Sequence, residues 1–314
     1  MRRHRRGDLL IKNKAVLIAN PVSGTKLWEA KRKQITSRLS EYYDLTVYTT
    51  SEQVNGTELA KEALELNPDV VIACGGDGTV TEVASVLVNT DCKLGIIPLG
   101  TANALAHVLM GIQSKLIPVE QACELIIEGQ ASRIDTAVCN GERMLLLAGI
   151  GFEQKMIEKA HRDAKNESGQ LAYLQGFWQA LGEHEAQDYV VTLDNNDEQT
   201  INTTSLIIAN AAPFTTLLAQ SAGQPDHQDG LLDVNWLTPS ADSKASTLSI
   251  AELVFSSITQ TSFAINSHHT NAKRVTVRAA KGLSYVIDGE VKTADKLEVE
   301  ISPKSLSVIV AAED

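Results

Sequence analysis

The sequence predicts two domains in tandem: an N-terminal three-layer α/β domain with a mostly parallel sheet, followed by a C-terminal antiparallel β-sandwich domain. Three observations carry this. Up to about residue 133, short apolar runs alternate with amphipathic stretches, the signature of strands and helices in turn. Glycine-rich clusters close several of those runs, where a buried strand hands over to a helix. Beyond Asp135 the segments become short and alternate polar with apolar residues, the period of half-buried strands. A chain of 314 residues also exceeds what one hydrophobic core usually serves, so domains spanning residues 1–133 and 134–302 are expected.

Residues 14–19 form an apolar run that stops at Asn20-Pro21-Val22-Ser23-Gly24, a cluster of turn formers, and so read as a buried strand running into a loop. Residues 27–39 place Leu27, Ala30, Ile35 and Leu39 among charges, which suits an amphipathic helix. The pattern repeats with strands at 45–48, 69–73 and 94–97, and helices at 57–66, at 79–88 and from about 101. In the second half, strands are expected at 189–193, 205–209, 231–237, 273–278, 283–287 and 296–301, with helices at 171–181 and 243–255. No internal repeat or low-complexity tract interrupts this order.

Composition narrows the function. No run approaches the roughly 20 consecutive apolar residues of a membrane-spanning helix. Lys12, Lys14 and Asn20-Pro21 interrupt the segment after the basic start Met1-Arg2-Arg3-His4-Arg5-Arg6, so a cytoplasmic protein is expected. That basic start reads as a solvated tail or as an electrostatic tether to anionic lipid. A net charge of −11 opposes nucleic acid as a partner. Cys74, Cys92, Cys123 and Cys139 lack C-x-x-C spacing and are expected as free core thiols. His107, His161, His227, His268 and His269 show no ligand spacing with cysteine or with one another, and carry no assigned role.

The strand at 69–73 enters Gly75-Gly76-Asp77-Gly78-Thr79, and a helix opens at once with Glu82 in its first turn. Glycines allow close backbone approach, and a helix N-terminus offers N–H groups and a positive dipole end, so this turn suits phosphate. A plain β-α turn with Thr79 as helix cap is the simpler alternative, yet such a turn rarely needs three glycines around an aspartate. Neither G-x-x-x-x-G-K-[ST] nor G-x-G-x-x-G is present. A second small-residue loop, Pro98-Leu99-Gly100-Thr101-Ala102-Asn103, follows the strand at 94–97. Loops at the carboxyl ends of neighbouring strands in an open α/β sheet are where ligands bind.

Together these three loops resemble the signature loops of the diacylglycerol kinase catalytic domain family, which includes bacterial lipid kinases and the sphingosine and ceramide kinases. The resemblance implies an α/β domain like those of NAD kinase and phosphofructokinase, with residues 303–314 returning to it, and a β-rich lipid-substrate domain. It implies ATP against Asn20, Ser23, Gly24, Thr50, Gly75, Gly76, Asp77, Gly78, Thr79, Glu82, Gly100, Thr101 and Asn103. The segment Asp229-Gly230-Leu231-Leu232-Asp233 resembles the family's magnesium loop, implying Asp229 with the carbonyls of Leu231 and Asp226 as ligands and Asp135 linked through water. Asp288-Gly289-Glu290 resembles the terminal motif whose glutamate is the proposed proton acceptor, making Glu290 the candidate base. Asp77 is the rival, as in sphingosine kinases.

Taken alone, each of these aspartates could equally be an ordinary turn residue. The third loop departs from many bacterial members, which read Gly-Thr-x-Asn-Asp: here Ala104 follows Asn103, and Asn-Ala-Leu-Ala is similar to sphingosine and ceramide kinases. The expected activity is Mg-dependent phosphorylation of a diacylglycerol-like or sphingoid lipid presented at a membrane surface, by a peripheral protein for which a homodimer is open. An NAD kinase-like small-molecule kinase and a lipid- or nucleotide-binding pseudokinase are the alternatives, separable by ATP turnover with lipid or with NAD. Residues 145–152, 171–178 and 213–218 could line an acyl site or simply be core.

Overall fold

A computed structural model describes residues 12–23, 27–100, 103–110, 118–151, 186–212, 225–238 and 267–312. The chain divides into two units: one holds Met1–Asn103, Ser114–Ser132 and Ser307–Asp314, the other Ala104–Gln113 and Arg133–Leu306.

In the first unit, β1 (Asn13–Ala19), β2 (Tyr43–Thr49), β3 (Val70–Gly75) and β4 (Lys93–Pro98) pair in parallel in the order β2-β1-β3-β4. The strand ending the chain, β14 (Glu290–Val310), adds its last residues beside β4, with Val308 opposite Leu94. Both faces of β1 and β3 are buried, which explains their continuous apolar sequence. One face packs on α1 (Leu27–Tyr42) and α5 (Val119–Glu128) through Leu17, Ile72, Trp28, Ile35, Leu39 and Ile126. The other receives α2 (Gly56–Glu65) and α3 (Asp77–Leu87), whose buried residues include Leu59, Ala63, Val83 and Leu87. The expected three layers are present. Helix α5 has no counterpart among the helices expected from sequence, because Val119, Ala122, Cys123 and Ile126 form an apolar stripe too short to stand out.

The second unit is antiparallel and β-rich. Its elements are α4 (Ala104–Met110), β5 (Gln130–Cys139), β6 (Glu142–Met144), β7 (Leu147–Gly151), β8 (Gln187–Leu193), β9 (Gln199–Thr203), β10 (Ser205–Ala209), β11 (Leu232–Leu237), β12 (Ser267–Ala272), β13 (Arg274–Ile287) and the first part of β14. The order is β12-β11-β10-β7-β13-β14, with β8 also on β13, β9 on β8, and β5 on β14 and β6. Every register resolved between strands of this unit is antiparallel. The two strands expected at 273–278 and 283–287 are one, β13, with its register shifting between Arg278 and Leu283. The helices expected at 171–181 and 243–255 lie outside the described residues, as do the basic start and the segment at 213–218.

All four cysteines are free and buried. Burial pushes each thiol up, so none is a ready nucleophile.

Candidate functional site

Parallel strands bring the loops after β1, β2, β3 and β4 to the same edge of the first unit's sheet. Asn20 begins the first loop: its N–H donates to the Cys74 carbonyl at 2.9 Å and its side-chain Nδ2 to the Thr79 hydroxyl at 3.1 Å. From the same loop, the Ser23 hydroxyl accepts the Gly76 N–H at 3.2 Å. Thr50 follows β2 and donates its N–H to the Ala19 carbonyl at 2.9 Å. Gly24 and Thr101 lie outside the described residues.

Gly76 is the N-cap of α3 and, having no side chain, makes no cap bond of its own to that helix. Thr79 does not serve as the cap; it sits inside the first turn, 5% exposed, holding Asn20. The third loop presses against the second. A Cβ on Gly100 would stand 2.6 Å from the Gly76 Cα and 2.8 Å from Asn103 Oδ1, so only glycine fits at that contact. On the other side of the turn, nothing lies within 4 Å of where a Gly78 Cβ would be.

Asn103, at φ 49°, fastens the arrangement. Its Oδ1 accepts the Gly100 N–H at 2.9 Å, its Nδ2 donates to the Gly100 carbonyl at 2.8 Å, and its own N–H donates to Asp77 Oδ2 at 2.8 Å. Asp77 therefore joins the second and third loops. Glu82, named from sequence among the nucleotide residues, accepts the Gly56 N–H at 2.7 Å and so serves the N-terminus of α2.

The second unit carries the other acidic residues. Asp135 is fully buried, and its two oxygens accept the Gly230 N–H at 2.7 Å and the Lys304 N–H at 2.6 Å. It thus anchors the 226–231 loop. Within that loop Asp226 Oδ1 accepts the Gln228 N–H at 2.9 Å, and Asp229 Oδ1 accepts the Leu231 N–H at 2.9 Å. Burial, with Asp233, Asp226 and Asp135 nearby, raises the Asp229 carboxyl above its ordinary value. Among the described residues no three His, Cys, Asp or Glu side chains converge on a metal position. One carboxylate with backbone carbonyls, the donor set implied for Asp229, Leu231 and Asp226, remains compatible with a hard cation.

Asp288 and Gly289, at φ 45° and 96°, make the two-residue turn between β13 and β14. Asp288 Oδ2 accepts the Leu145 N–H at 2.7 Å, and Oδ1 those of Leu146 and Leu147 at 2.9 and 3.0 Å. Burial pushes this carboxyl up to about 6 in spite of the three donors. Glu290 is the opposite case, with a side chain 77% exposed and Lys292 Nζ 3.5 Å away. Sequence reasoning missed one pair: Asp233 Oδ1 lies 2.6 Å from His269 Nε2. Only the register of β11 on β12 brings them together, and no spacing could have shown it.

The two units thus combine an α/β layer fold bearing a glycine-loop cluster with an antiparallel unit rich in acidic turns, an architecture of nucleotide-using kinases. Residues 14–139 match the diacylglycerol kinase catalytic domain, and residues 148–310 the YegS C-terminal NAD kinase beta sandwich-like domain. The chain belongs to the diacylglycerol kinase catalytic domain family. It is 36% identical to an uncharacterised protein of Synechocystis sp. over 95% of this chain and 70% of that one. It is 33% identical to a diacylglycerol kinase of Bacillus subtilis over 51% of this chain and 53% of the enzyme, so that match spans about half of each. A crystal structure of a diacylglycerol kinase from Bacillus anthracis shares the fold at a TM-score of 0.69, with 19% identity and 95% and 97% of the two chains covered. An NAD kinase from Archaeoglobus fulgidus in complex with ATP aligns more loosely, at a TM-score of 0.52, 14% identity and 96% and 94% coverage. No helix among the described residues is long and apolar enough to cross a membrane.

Proposed function

We propose that this chain is a Mg-dependent lipid kinase that moves the γ-phosphoryl group of ATP to a hydroxyl of a diacylglycerol-like or sphingoid lipid, working peripherally at a membrane surface. The observation that carries this reading is the backbone contact of Gly76 with Gly100 at the N-terminus of α3, where the N-cap residue has no side chain. Two glycines meeting backbone to backbone beside a positive helix end favour phosphate oxygens. Asn20, Ser23, Gly75, Gly78 and Thr79 complete the loops, with Thr50 at the same sheet edge. Asp77 and Asn103 hold the second and third loops in register.

The acceptor oxygen attacks the γ-phosphorus, the bond from that phosphorus to the β–γ bridging oxygen breaks, and ADP leaves. Glu290 takes the hydroxyl proton; Asp77 is the rival base. Magnesium supplies compensation for the negative charge of phosphates and carboxylates. Asp229, with the carbonyls of Leu231 and Asp226, would hold it, and Asp135 fixes that loop through the Gly230 N–H.

Incubation with labelled ATP, magnesium and detergent-dispersed diacylglycerol, monoacylglycerol, sphingosine, ceramide or phosphatidylglycerol tests the reading. One labelled lipid is the expected result. Phosphorylation of NAD alone would replace it with the small-molecule kinase, and ATP binding without any product would make the chain a pseudokinase, the outcome Ala104 raises.

A further inference from the structure

In the second unit, β7, β10 and β11 turn Ile150, Leu206, Ile208 and Val234 towards one apolar core. Alternation sets Ser205, Ile207, Asp233, Asn235 and Leu237 on the opposite face. Register places Asn235 between Ile207 of β10 and His269 of β12, and Ser205 opposite Leu237, diagonal to Asn235. This second face is buried as well, with Ser205 1%, Asp233 3% and Asn235 3% exposed.

The polar groups on it are treated unequally. Asp233 is met by His269 at 2.6 Å. Asn235 has no hydrogen-bond partner for either Nδ2 or Oδ1, and Ser205 Oγ has none. A buried polar group left unpaired costs stability, whereas leucine would fill position 235 without that cost. Polar groups kept in an apolar setting at a cost to the fold are what a ligand site looks like before its ligand arrives.

We propose that Asn235 and Ser205 form the head-group site for a neutral, hydroxyl-bearing acyl lipid such as a monoacylglycerol or an N-acyl sphingoid. The Asn235 amide supplies one donor and one acceptor, and the Ser205 hydroxyl supplies either. Neutrality follows from the charges: along these paired strands the face carries only Asp233 and His269, which satisfy each other. A fatty carboxylate or a long-chain ammonium would be buried there without a counter-ion. The inference rests on the lipid-kinase reading for the reaction but not for binding.

The full chain is compared with Asn235→Leu and Ser205→Ala. Binding is read as the thermal shift on adding monooleoylglycerol or ceramide in detergent micelles, with oleate and sphingosine as charged controls; labelled-ATP kinetics run in parallel. Wild type should be stabilised by one or both neutral lipids. Asn235→Leu should have an unchanged or higher Tm without lipid, a weaker neutral-lipid shift and a lipid KM raised about 10-fold, with the ATP KM unchanged. Ser205→Ala should show the same pattern more weakly, and decides the matter if the leucine variant does not fold. Neutral-lipid binding by both variants equal to wild type overturns the site. So does a wild-type shift by oleate or sphingosine alone, or by no lipid. An Asn235-dependent shift without labelled product supports the site and overturns the kinase reading instead.

Discussion

The glycine loops of the first unit and the acidic turns of the second solve local problems in opposite ways. Around Gly76 and Gly100 the loops meet backbone to backbone, with the Asp77 carboxylate taking the Asn103 N–H across them and the Asn103 side chain closing its own loop on Gly100. In the second unit the carboxylates themselves do the joining. Asp288 collects three N–H groups and Asp135 two, so both are spent on the fold. Glu290 directly follows the Asp288 turn and Asp229 stands in the loop that Asp135 anchors from β5; both are more exposed and less engaged. In each pair one carboxylate is held by backbone N–H groups of the fold and the other is left largely outside those bonds, which is where the proposed chemistry would need it.

The division is tested hardest at Glu290. Glu290→Gln keeps size and hydrogen bonding while removing basicity, so turnover should fall by about 10²-fold or more with the unfolding midpoint unchanged. Asp77→Asn keeps an acceptor for the Asn103 N–H but loses charge beside the loops, and should alter the ATP or magnesium response along with turnover. Near-normal turnover in Glu290→Gln, beside an inactive Asp77→Asn protein whose ATP and magnesium responses are normal, would move the base role to Asp77.

Asp135 and Asp229 give the next contrast. Asp135→Ala strands two N–H groups around a fully buried site, and should cost about 2–4 kcal/mol in a urea titration. Asp229→Ala loses one bond to a nearby residue in sequence, and should stay within about 1 kcal/mol while shifting the magnesium dependence of turnover. Equal losses of stability, with an unchanged magnesium titration, would make both residues structural.

Asp288 should also mark the pH profile of stability. Its folded value of about 6 lies above the 3.8 of an ordinary aspartate, so between those values the folded chain binds the proton more tightly than the unfolded one. Its contribution is therefore full below about pH 4 and fades as pH rises through 6, by at most about 3 kcal/mol. Asp288→Asn should flatten that step. A step that persists in the variant belongs to another group.

The sequence carried the first unit well, because a parallel sheet buried on both faces writes its strands as continuous apolar runs and its functional loops as glycine clusters. Strand β10 was readable to the residue, at Ser205–Ala209. The rest depended on partners far along the chain. That Glu82 serves Gly56, that Asp135 serves Lys304 and that Asp233 meets His269 are matters of register and packing, separated by 26, 169 and 36 positions. Strands β13 and β14 look divided in sequence because Lys281-Gly282 and Ser302-Pro303-Lys304 resemble turns, although the structure absorbs them as a register shift and a residue at φ 50°.

The smallest expected effect is also the cleanest probe of the glycine loops. Gly78 is the second residue of α3, and a Cβ there would meet nothing within 4 Å, so Gly78→Ala has no steric reason to harm the fold. Alanine restricts the unfolded chain and favours helix, which should stabilise by about 0.5–1 kcal/mol. Gly100→Ala, by contrast, drives its methyl to 2.6 Å from the Gly76 Cα and should destabilise. If phosphate oxygens occupy the open space beside Gly78, the more stable Gly78→Ala protein should nonetheless need several-fold more ATP for half-maximal turnover, with its lipid KM unchanged. An ATP KM equal to wild type would place the phosphates elsewhere, leaving Gly76 and Gly100 as a purely structural contact.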